Sequence, residues 1–530
     1  MNTPLFRTLV FLASAFSILT PLHAADAPAI TPDKVDLKFS FGPQPVPGFT
    51  QVKPDDNYTI ERGYGFDLSS TVSVVDNGGN DPLKSGYVIG AKGKPFFFSV
   101  KLVPGVYDVK VTLGDAKAES TTTVKSETRR LMLEAVKTLA GKTETKEFYV
   151  HLRVPQYPGG SVGLKPRENM FSWIFVYWED TKPMTIMELD WDEKLTLEFS
   201  DAHPALCTVE ITNAEKPLTV YLVGDSTMTD QNMEPWGAWG MQFPRWFKPP
   251  VAISNYAESG ESAVSFIGER RWPKLMSEVH PGDYILIQFG INDRATPIDR
   301  FKQALVQMVT EARAKGAIPV IVTSQNLRSG FWGPDGKGQQ TLGGYPYAMW
   351  EVATEQKTPY IDLNVLSTKL YEAFGQDRMP ELFTPHAVNP SINRNASRDS
   401  THHSDFGSYE LAKCVVQACI DAKLPFAQSV VDDWKTFDPS HPDSIDAFKL
   451  PLDPQYDPDC KENDALPKVP VPVAGQPGRM ADPRSAAAPA RGAASGRGPA
   501  GRGPRGTAAT APASTAPTTS TAATPTATGP

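Results

Sequence analysis

Five short apolar runs after residue 217 constrain the fold of this chain more than any other feature. These runs occupy residues 218–223, 251–255, 284–289, 318–323 and 359–362. Their β-branched and aromatic content is typical of buried strands. Helical patterns separate several of them, notably residues 300–315, which Gly316 ends. This alternation favours a parallel sheet with helices on both faces, whose ligands bind beyond the carboxyl ends of the strands.

The first run, Leu218 to Val223, ends at a Gly-Asp-Ser turn that carries Ser226. A strand that stops at a small turn can present a serine at the carboxyl edge of a sheet. The tripeptide alone is also a common turn. A serine hydroxyl is a weak nucleophile at neutral pH and needs an adjacent base. Ser226 is therefore a candidate nucleophile, and the assignment depends on whether later segments supply a base and oxyanion donors.

Two segments that follow later strands could stabilise a developing negative charge. Gly260 lies within residues 255–262, and a glycine there allows an unusual backbone angle that leaves its N–H free to point into a cleft. Asn292 follows the run at 284–289, where its side-chain NH₂ could face an oxyanion. Each also has a plainer interpretation, because glycine and asparagine are common turn residues.

A fourth segment places an acid, Asp399, and a base, His402, three residues apart on one loop before a helix-like stretch at 407–422. The carboxylate can fix the imidazole tautomer so that the ring takes a proton from a serine. His403 is an alternative base, but the spacing from Asp399 favours His402, and His403 is expected to line the cleft. Asp225 adjoins the candidate nucleophile and is expected to brace the turn.

Together the four segments resemble, in order and spacing, the four blocks of the SGNH (GDSL-like) hydrolases, over residues 218–425. Further motifs resemble the rhamnogalacturonan acetylesterases within that superfamily. These motifs are GDSTM at 224–228, PWGAWG at 235–240, the Arg271-Trp272 pair, FGIND at 289–293 and DSTHHSDFG at 399–407.

The resemblance implies a serine esterase mechanism for this chain. Ser226 would be the nucleophile, His402 the base and Asp399 the partner of His402. The oxyanion hole would consist of the backbone N–H groups of Ser226 and Gly260 and the side chain of Asn292. The resemblance also implies a three-layer α/β/α sandwich over residues 216–450, with no metal and no organic cofactor.

The substrate class is inferred from charged and aromatic residues near the predicted active edge. Pectic polymers contain galacturonate, so a cleft for them should offer cations and aromatic platforms. Four residues in or beside family-like segments are the main candidates for contacting substrate: Trp236, Arg271, Trp272 and His403. Further candidates are Trp239, Arg270, Arg294, Arg328, Trp332, Arg394 and Arg398. Only some should contact substrate, because a single arginine is commonly a solvated surface charge and a tryptophan near a helix start is commonly core.

Residues 34–214 show an all-β pattern of short alternating runs between Gly, Pro and Asp turns, for example at 96–100 and 105–111. The length suits one β-sandwich. The region resembles the galactose-binding-like, jelly-roll module of bacterial members of the acetylesterase group, with similar segments at 38–42 and 63–66. A β-domain that shapes one wall of the cleft is the favoured interpretation, and an independent sugar-binding module is the alternative.

The two ends of the chain predict export and a disordered tail. Residues 1–24 combine Arg7, an apolar stretch over 9–19 and a small residue at Ala24, as in a secretory signal peptide. Pro, Ala, Gly, Thr and Ser dominate residues 465–530, which predicts disorder. We therefore expect a periplasmic or extracellular protein. No later segment reaches the about 18 uninterrupted apolar residues that indicate a membrane span.

Composition excludes several other functions. The net charge of −8 argues against a nucleic-acid partner. The four cysteines lack the spacing of a metal site.

The sequence thus predicts an exported serine esterase that removes acetyl groups from a pectic polysaccharide, foremost rhamnogalacturonan. The alternatives are an esterase for acetylated xylan or other acyl esters, and a polysaccharide-binding protein with a silent hydrolase domain.

Overall fold

The computed structural model describes residues 34–78, 81, 83–165, 168, 172–174, 184–186, 188–386 and 397–452. All of them fall within one compact unit, Met1–Val469. The predicted leader at 1–24, the predicted tail at 465–530 and Arg394 lie outside the described residues. Within the described ranges, no helix combines the length and the apolar character needed to cross a bilayer.

The N-terminal region is built from strands, as its alternating pattern predicts. The strands are β1 (Asp36–Ser40), β2 (Thr50–Gln51), β3 (Tyr64–Asp67), β4 (Val72–Asp76), β5 (Gly86–Gly90), β6 (Phe96–Lys101), β7 (Gly105–Leu113), β8 (Ser120–Ser126), β9 (Arg130–Thr138), β10 (Glu144–Leu152), β11 (Gln156–Tyr157), β12 (Gly160–Ser161), β13 (Ser172–Ile174), β14 (Met184–Ile186), β15 (Lys194–His203) and β16 (Leu206–Asn213).

Two sheets of these strands pack against each other. One has the antiparallel order β3-β6-β15-β8-β9. The other contains the order β2-β1-β16-β7-β10, antiparallel except between β1 and β2. Phe98 and Phe199 from the first sheet share one buried core with Phe39 and Val109 from the second. The β-sandwich predicted for this region is therefore confirmed.

The C-terminal region alternates strands with helices. Its strands are β17 (Leu218–Val223), β18 (Val251–Asn255), β19 (Tyr284–Ile287), β20 (Ile318–Val322), β21 (Tyr360–Ile361), β22 (Phe383–His386) and β23 (Ser397–His403). Its helices are α1 (Trp239–Gln242), α2 (Ala263–Gly268), α3 (Arg271–Glu278), α4 (Ile298–Ala314), α5 (Tyr345–Glu355), α6 (Leu363–Arg378) and α7 (Asp405–Asp421).

The five predicted strands form the parallel order β18-β17-β19-β20-β21. Successive side chains of a strand point to opposite faces of the sheet, so these strands contribute to two cores. Leu222 and Leu286 pack with α1, α6 and α7 on one face. Val223 and Ile287 pack with α2 to α5 on the other. The three-layer α/β/α arrangement is thereby confirmed. Strand order reverses between β17 and β19, and open α/β sheets bind ligands at such a point.

The two regions share one sheet, which the sequence did not predict. Strand β10 pairs in parallel with β18, so that Tyr149 lies opposite Ala252 and Val150 opposite Ile253. The resulting twelve-stranded sheet therefore contains strands from both sides of residues 214–216, where the sequence predicts the boundary between the two regions. Backbone hydrogen bonds therefore join the β region to the α/β region.

Candidate active site

The turn after β17 presents Ser226 at the carboxyl edge of the sheet. The Asp225 Oδ1 atom accepts hydrogen bonds from the backbone N–H of Thr227 at 2.9 Å and from its hydroxyl at 2.7 Å. The Gln231 side chain donates to the Ser226 carbonyl at 2.5 Å. Burial raises the pKa of Asp225, although the Thr227 hydrogen bonds oppose it. Asp225 thus braces the turn, as expected from its position beside Ser226.

His402 lies against the serine. Its Nε2 atom is 2.8 Å from the Ser226 Oγ atom, a hydrogen-bonding distance. The Trp236 ring stacks on the imidazole, with ring centroids 5.3 Å apart and an interplanar angle of 23°. The sequence predicts a loop here, but residues 399–402 lie within β23, which pairs with β22. The segment is a strand because it forms backbone hydrogen bonds with β22, a pairing that its own local sequence does not indicate.

Asp399 lies on the other side of the imidazole. Its Oδ1 atom is 3.3 Å from His402 Nδ1 and also accepts the backbone N–H groups of Thr401 at 2.6 Å and His402 at 2.8 Å. Burial opposes ionisation of Asp399, but the hydrogen bond and charge of His402, with these backbone donors, hold its pKa well below the ordinary range. Asp399 is therefore an anion suited to stabilising an imidazolium.

Gly260 and Asn292 follow the strands on either side of β17, and both are exposed. Gly260 has a φ of 84°, in the left-handed region that favours glycine. The Asn292 side chain donates to the Glu261 carbonyl at 2.9 Å. An amide NH₂ carries two hydrogens, so one hydrogen can orient the group while the other faces the cleft.

Three of the four main substrate-contact candidates are buried, so those assignments are wrong. Arg271, Trp272 and His403 are 0%, 1% and 2% exposed. Arg271 forms a two-pronged ion pair with Glu168, whose Oε1 atom accepts from Nη1 at 2.8 Å. Trp272 donates to the carboxylate of Glu311 at 2.6 Å, and His403 Nε2 lies 2.7 Å from the hydroxyl of Tyr371. These side chains hold the scaffold together, and only Trp236 remains beside the cleft.

Two of the further candidates also have internal roles. Trp239 is buried and donates to the Gln288 side chain at 2.8 Å, which in turn donates to the Thr227 hydroxyl at 2.8 Å. Arg328 donates to the carbonyls of Asp399 and Arg398, both at 2.7 Å. Trp239 thus holds the turn that carries Ser226, and Arg328 holds the strand that carries His402.

Two arginines that the sequence analysis does not single out lie beside the site: Arg129 just before β9 and Arg130 at its start. Arg129 donates to the Trp236 carbonyl at 2.8 Å and to the Gln231 carbonyl at 3.1 Å. Arg130 pairs with Asp230 at 2.7 Å and with Asp190 at 2.9 Å. Both arginines are fully buried beneath the loop that follows Ser226. No local pattern could reveal them, since Asp230 lies 100 residues away from Arg130.

Three buried carboxylates lie near this site. Glu168, Glu188 and Glu258 place one oxygen each within 4.8 Å of one another, a spacing that could hold a cation. Glu168 is committed to Arg271, and Glu188 accepts from the Asn232 side chain at 2.9 Å. The cluster therefore belongs to an internal ion network.

A cavity of about 520 Å³ lies elsewhere, at the junction of the two regions. Thr219, His151 and Glu278 are among the residues that line it. Thr219 is the second residue of β17, whereas Ser226 follows the end of that strand. This cavity is therefore separate from the serine and its base.

This arrangement of serine, histidine and aspartate defines an ester hydrolase on an α/β sheet, and comparisons agree. Residues 222–391 match the GDSL-like lipase/acylhydrolase family, and residues 37–155 match the β-agarase/YXIM esterase-like, galactose-binding domain-like family. Rhamnogalacturonan acetylesterase RhgT of Bacillus subtilis (strain 168) is 37% identical over 224 residues, which are 41% of this chain and 96% of that protein.

A second relative extends over both regions. The uncharacterized esterase YxiM of Bacillus subtilis (strain 168) is 26% identical over 394 residues, which are 72% of this chain and 89% of that protein. The chain belongs to the GDSL-like lipase/acylhydrolase family and carries a galactose-binding-like β region ahead of the hydrolase fold.

Proposed function

We propose that this protein is an exported serine esterase that removes acetyl groups from pectic polysaccharide, foremost rhamnogalacturonan. The observation that carries the proposal is the 2.8 Å contact between Ser226 Oγ and His402 Nε2, with Asp399 on the far side of the imidazole. A serine, a base and an orienting acid in this order are the components of acyl transfer through a covalent intermediate.

In the first half-reaction, Ser226 Oγ attacks the acetyl carbonyl carbon as its proton passes to His402 Nε2. The carbonyl oxygen becomes negative, and the backbone N–H groups of Ser226 and Gly260 and the Asn292 side chain donate to it. The ester bond then breaks, and His402 returns the proton to the departing sugar oxygen. The sugar leaves with a free hydroxyl, and Ser226 retains the acetyl group.

In the second half-reaction, water replaces the sugar. His402 takes a proton from the water, whose oxygen attacks the acetyl carbon, and the same three donors stabilise the second oxyanion. Collapse of that intermediate returns the proton to Ser226 Oγ and releases acetate. Asp399 stays ionised throughout and stabilises the imidazolium in both half-reactions.

The choice of an acidic polysaccharide rests on the relative RhgT and on one cation beside the site. Arg294 is exposed and lies two residues after Asn292, with its Nε atom donating to the Ile291 carbonyl at 2.8 Å. A guanidinium held in this way keeps further donors for a carboxylate. Together with the half-buried ring of Trp236, it offers the cation and the aromatic surface that a galacturonate-containing chain requires.

Export rests on the pattern of residues 1–24 described above. The test is to express the full chain in a Gram-negative host and to determine the amino terminus of the protein in each fraction. A periplasmic or extracellular product that begins at Ala25 supports export. An uncleaved product confined to the cytoplasm contradicts it.

The activity is tested by acetate release from acetylated rhamnogalacturonan, acetylated homogalacturonan and acetylated xylan, with Ser226→Ala as the control. Release chiefly from rhamnogalacturonan, lost in Ser226→Ala, supports both mechanism and substrate. Release from xylan alone retains the mechanism and contradicts the pectic substrate. The absence of release from all three polymers and from 4-nitrophenyl acetate would contradict the esterase itself and favour the silent-domain alternative.

A further inference from the structure

A segment of the β region after β12 lies against the loop that contains Gly260. The backbone N–H of Gly163 donates to the Glu269 carbonyl at 2.9 Å, which attaches the segment to the end of α2. Glu168 accepts the backbone N–H of Lys165 at 2.7 Å while it pairs with Arg271. Gly163 and Glu168 are thus both held by residues of the α/β region, and Lys165 lies between them in the sequence.

Lys165 contacts the residues on both sides of Gly260. Its Nζ atom donates to the Ser259 carbonyl at 2.7 Å and pairs with the carboxylate of Glu261. A Cβ atom placed on Gly260 would stand 3.9 Å from the same Nζ atom. The ammonium group of Lys165 therefore bridges the Ser259 carbonyl, before Gly260, and the Glu261 carboxylate, after it.

The Ser259 carbonyl and the Gly260 N–H belong to one peptide group. Because a trans peptide is planar, its C=O and N–H point in opposite directions, so fixing the carbonyl also fixes the direction of the N–H. A glycine at a φ of 84° has little steric preference to hold this plane by itself. A cation that binds the carbonyl also polarises the peptide and strengthens its N–H as a donor.

Glu261 extends this contact to Asn292. Glu261 is fully buried, its carboxylate pairs with Lys165 and accepts the Ser265 hydroxyl at 2.6 Å, and its carbonyl accepts the Asn292 side chain at 2.9 Å. Lys165 therefore connects, through one residue on each side of Gly260, to two of the three donors assigned to the oxyanion hole.

We propose that Lys165 of the β region is a positioning residue for the oxyanion hole, which holds the Ser259–Gly260 peptide with its N–H directed at the reacting carbonyl. The proposal rests on the esterase function proposed above. It makes the geometry of the oxyanion hole depend on the β region, since the residue that orients the hole lies outside the hydrolase fold. Lys165 touches neither the nucleophile nor its base.

The test compares Lys165→Met and Lys165→Arg with wild type, using 4-nitrophenyl acetate, a neutral ester that needs no contact with a sugar carboxylate. Misplacement of a reacting group by about 1 Å can cost about 10²-fold in rate. We expect Lys165→Met to lower kcat by about 10- to 10²-fold with KM nearly unchanged. Lys165→Arg should recover part of the loss, because it keeps a charged donor for the Ser259 carbonyl.

The matched control is Lys38→Met, which removes a partly exposed lysine of the same region that pairs with Glu210 at 3.3 Å, and it should leave kcat unchanged. Rates are normalised to the folded fraction from thermal unfolding. If Lys165→Met does not fold, Lys165→Ala, which also lacks a donor for the Ser259 carbonyl, replaces it with the same expected loss of kcat.

Three outcomes contradict the positioning role or its basis. An unchanged kcat in Lys165→Met overturns it while leaving the esterase assignment intact. A rise in KM confined to acidic polysaccharide, with 4-nitrophenyl acetate unaffected, shows that Lys165 contacts substrate instead. A wild-type protein without Ser226-dependent activity overturns the proposed function itself, and the role of Lys165 with it.

Discussion

The α/β region and the β region contribute to this site in different ways. The groups that we propose to react with the ester, including Ser226, Asn292 and His402, all lie in the α/β region. The β region instead supplies cations that bind backbone carbonyls of the surrounding loops: Arg129 binds that of Trp236 and Lys165 that of Ser259. One region thus holds every group that we propose to react, while the geometry of its loops depends on contacts from the other region.

The largest effect is expected in the α/β region, from removal of the base. His402→Gln should lower kcat/KM for 4-nitrophenyl acetate by about 10⁴- to 10⁶-fold, because Ser226 then has no proton acceptor. His403→Gln is the matched control, since His403 is buried against Tyr371 and does not contact the serine. A larger loss in His403→Gln than in His402→Gln would contradict the assignment of the base.

The next effect concerns the β region and stability. Arg130→Met should lower the free energy of unfolding by about 3–5 kcal/mol, because it leaves Asp190 and Asp230 buried without their cation. Urea unfolding measures this change. Lys38→Met, which breaks a partly exposed surface pair, should cost at most about 1 kcal/mol. Equal losses in the two variants would show that the buried arginine does not join the regions.

A smaller loss is expected at the oxyanion hole. Asn292→Ala should lower kcat by about 10²- to 10³-fold with little change in KM, because the side chain donates to the oxyanion and not to the bound ester. Steady-state kinetics with 4-nitrophenyl acetate separate the two constants. A rise in KM at constant kcat would place Asn292 in substrate binding instead.

The smallest effect is a pH dependence of stability from His403. Burial, with the nearby charge of His402, lowers its pKa to about 3 from an ordinary value of 6.5. Between these values the unfolded chain binds a proton that the folded protein does not, so the stability falls as the pH drops below 6.5, by about 1.4 kcal/mol per unit.

His403→Gln removes this contribution, so its unfolding free energy should depend less on pH between about 4 and 6 than that of wild type. His151, whose pKa burial lowers to about 4, is present in both proteins and cancels in the difference. Urea unfolding over this pH range measures it. Parallel pH curves for the two proteins would contradict the buried, neutral state of His403.

Much of the fold and part of the site could be predicted from local patterns. A buried strand requires a run of apolar residues, and each of the five parallel strands has one, so all five could be predicted. Ser226 and Asn292 could be identified because each follows such a run directly. The predicted strand at 284–289 ends two residues earlier, at Ile287, because the chain leaves the sheet there to form the turn that carries Asn292.

Long-range partners explain what the sequence did not predict. Arg271 suits a sugar cleft and a buried ion pair equally well, and only Glu168, 103 residues earlier, decides between them. Lys165 and Arg129 reach partners 94 and 276 residues away. The pairing of β10 with β18 is likewise set by tertiary packing, which no local pattern records.

Covalent labelling is the direct test of whether Ser226 is the nucleophile of an esterase. Diethyl 4-nitrophenyl phosphate reacts with an activated serine to leave a stable phosphoryl group, which peptide mass spectrometry locates. We predict one adduct, on the peptide that contains Ser226, with loss of esterase activity in proportion to labelling and no adduct in Ser226→Ala. Loss of activity with the adduct on another residue, or full activity in Ser226→Ala, would contradict the account.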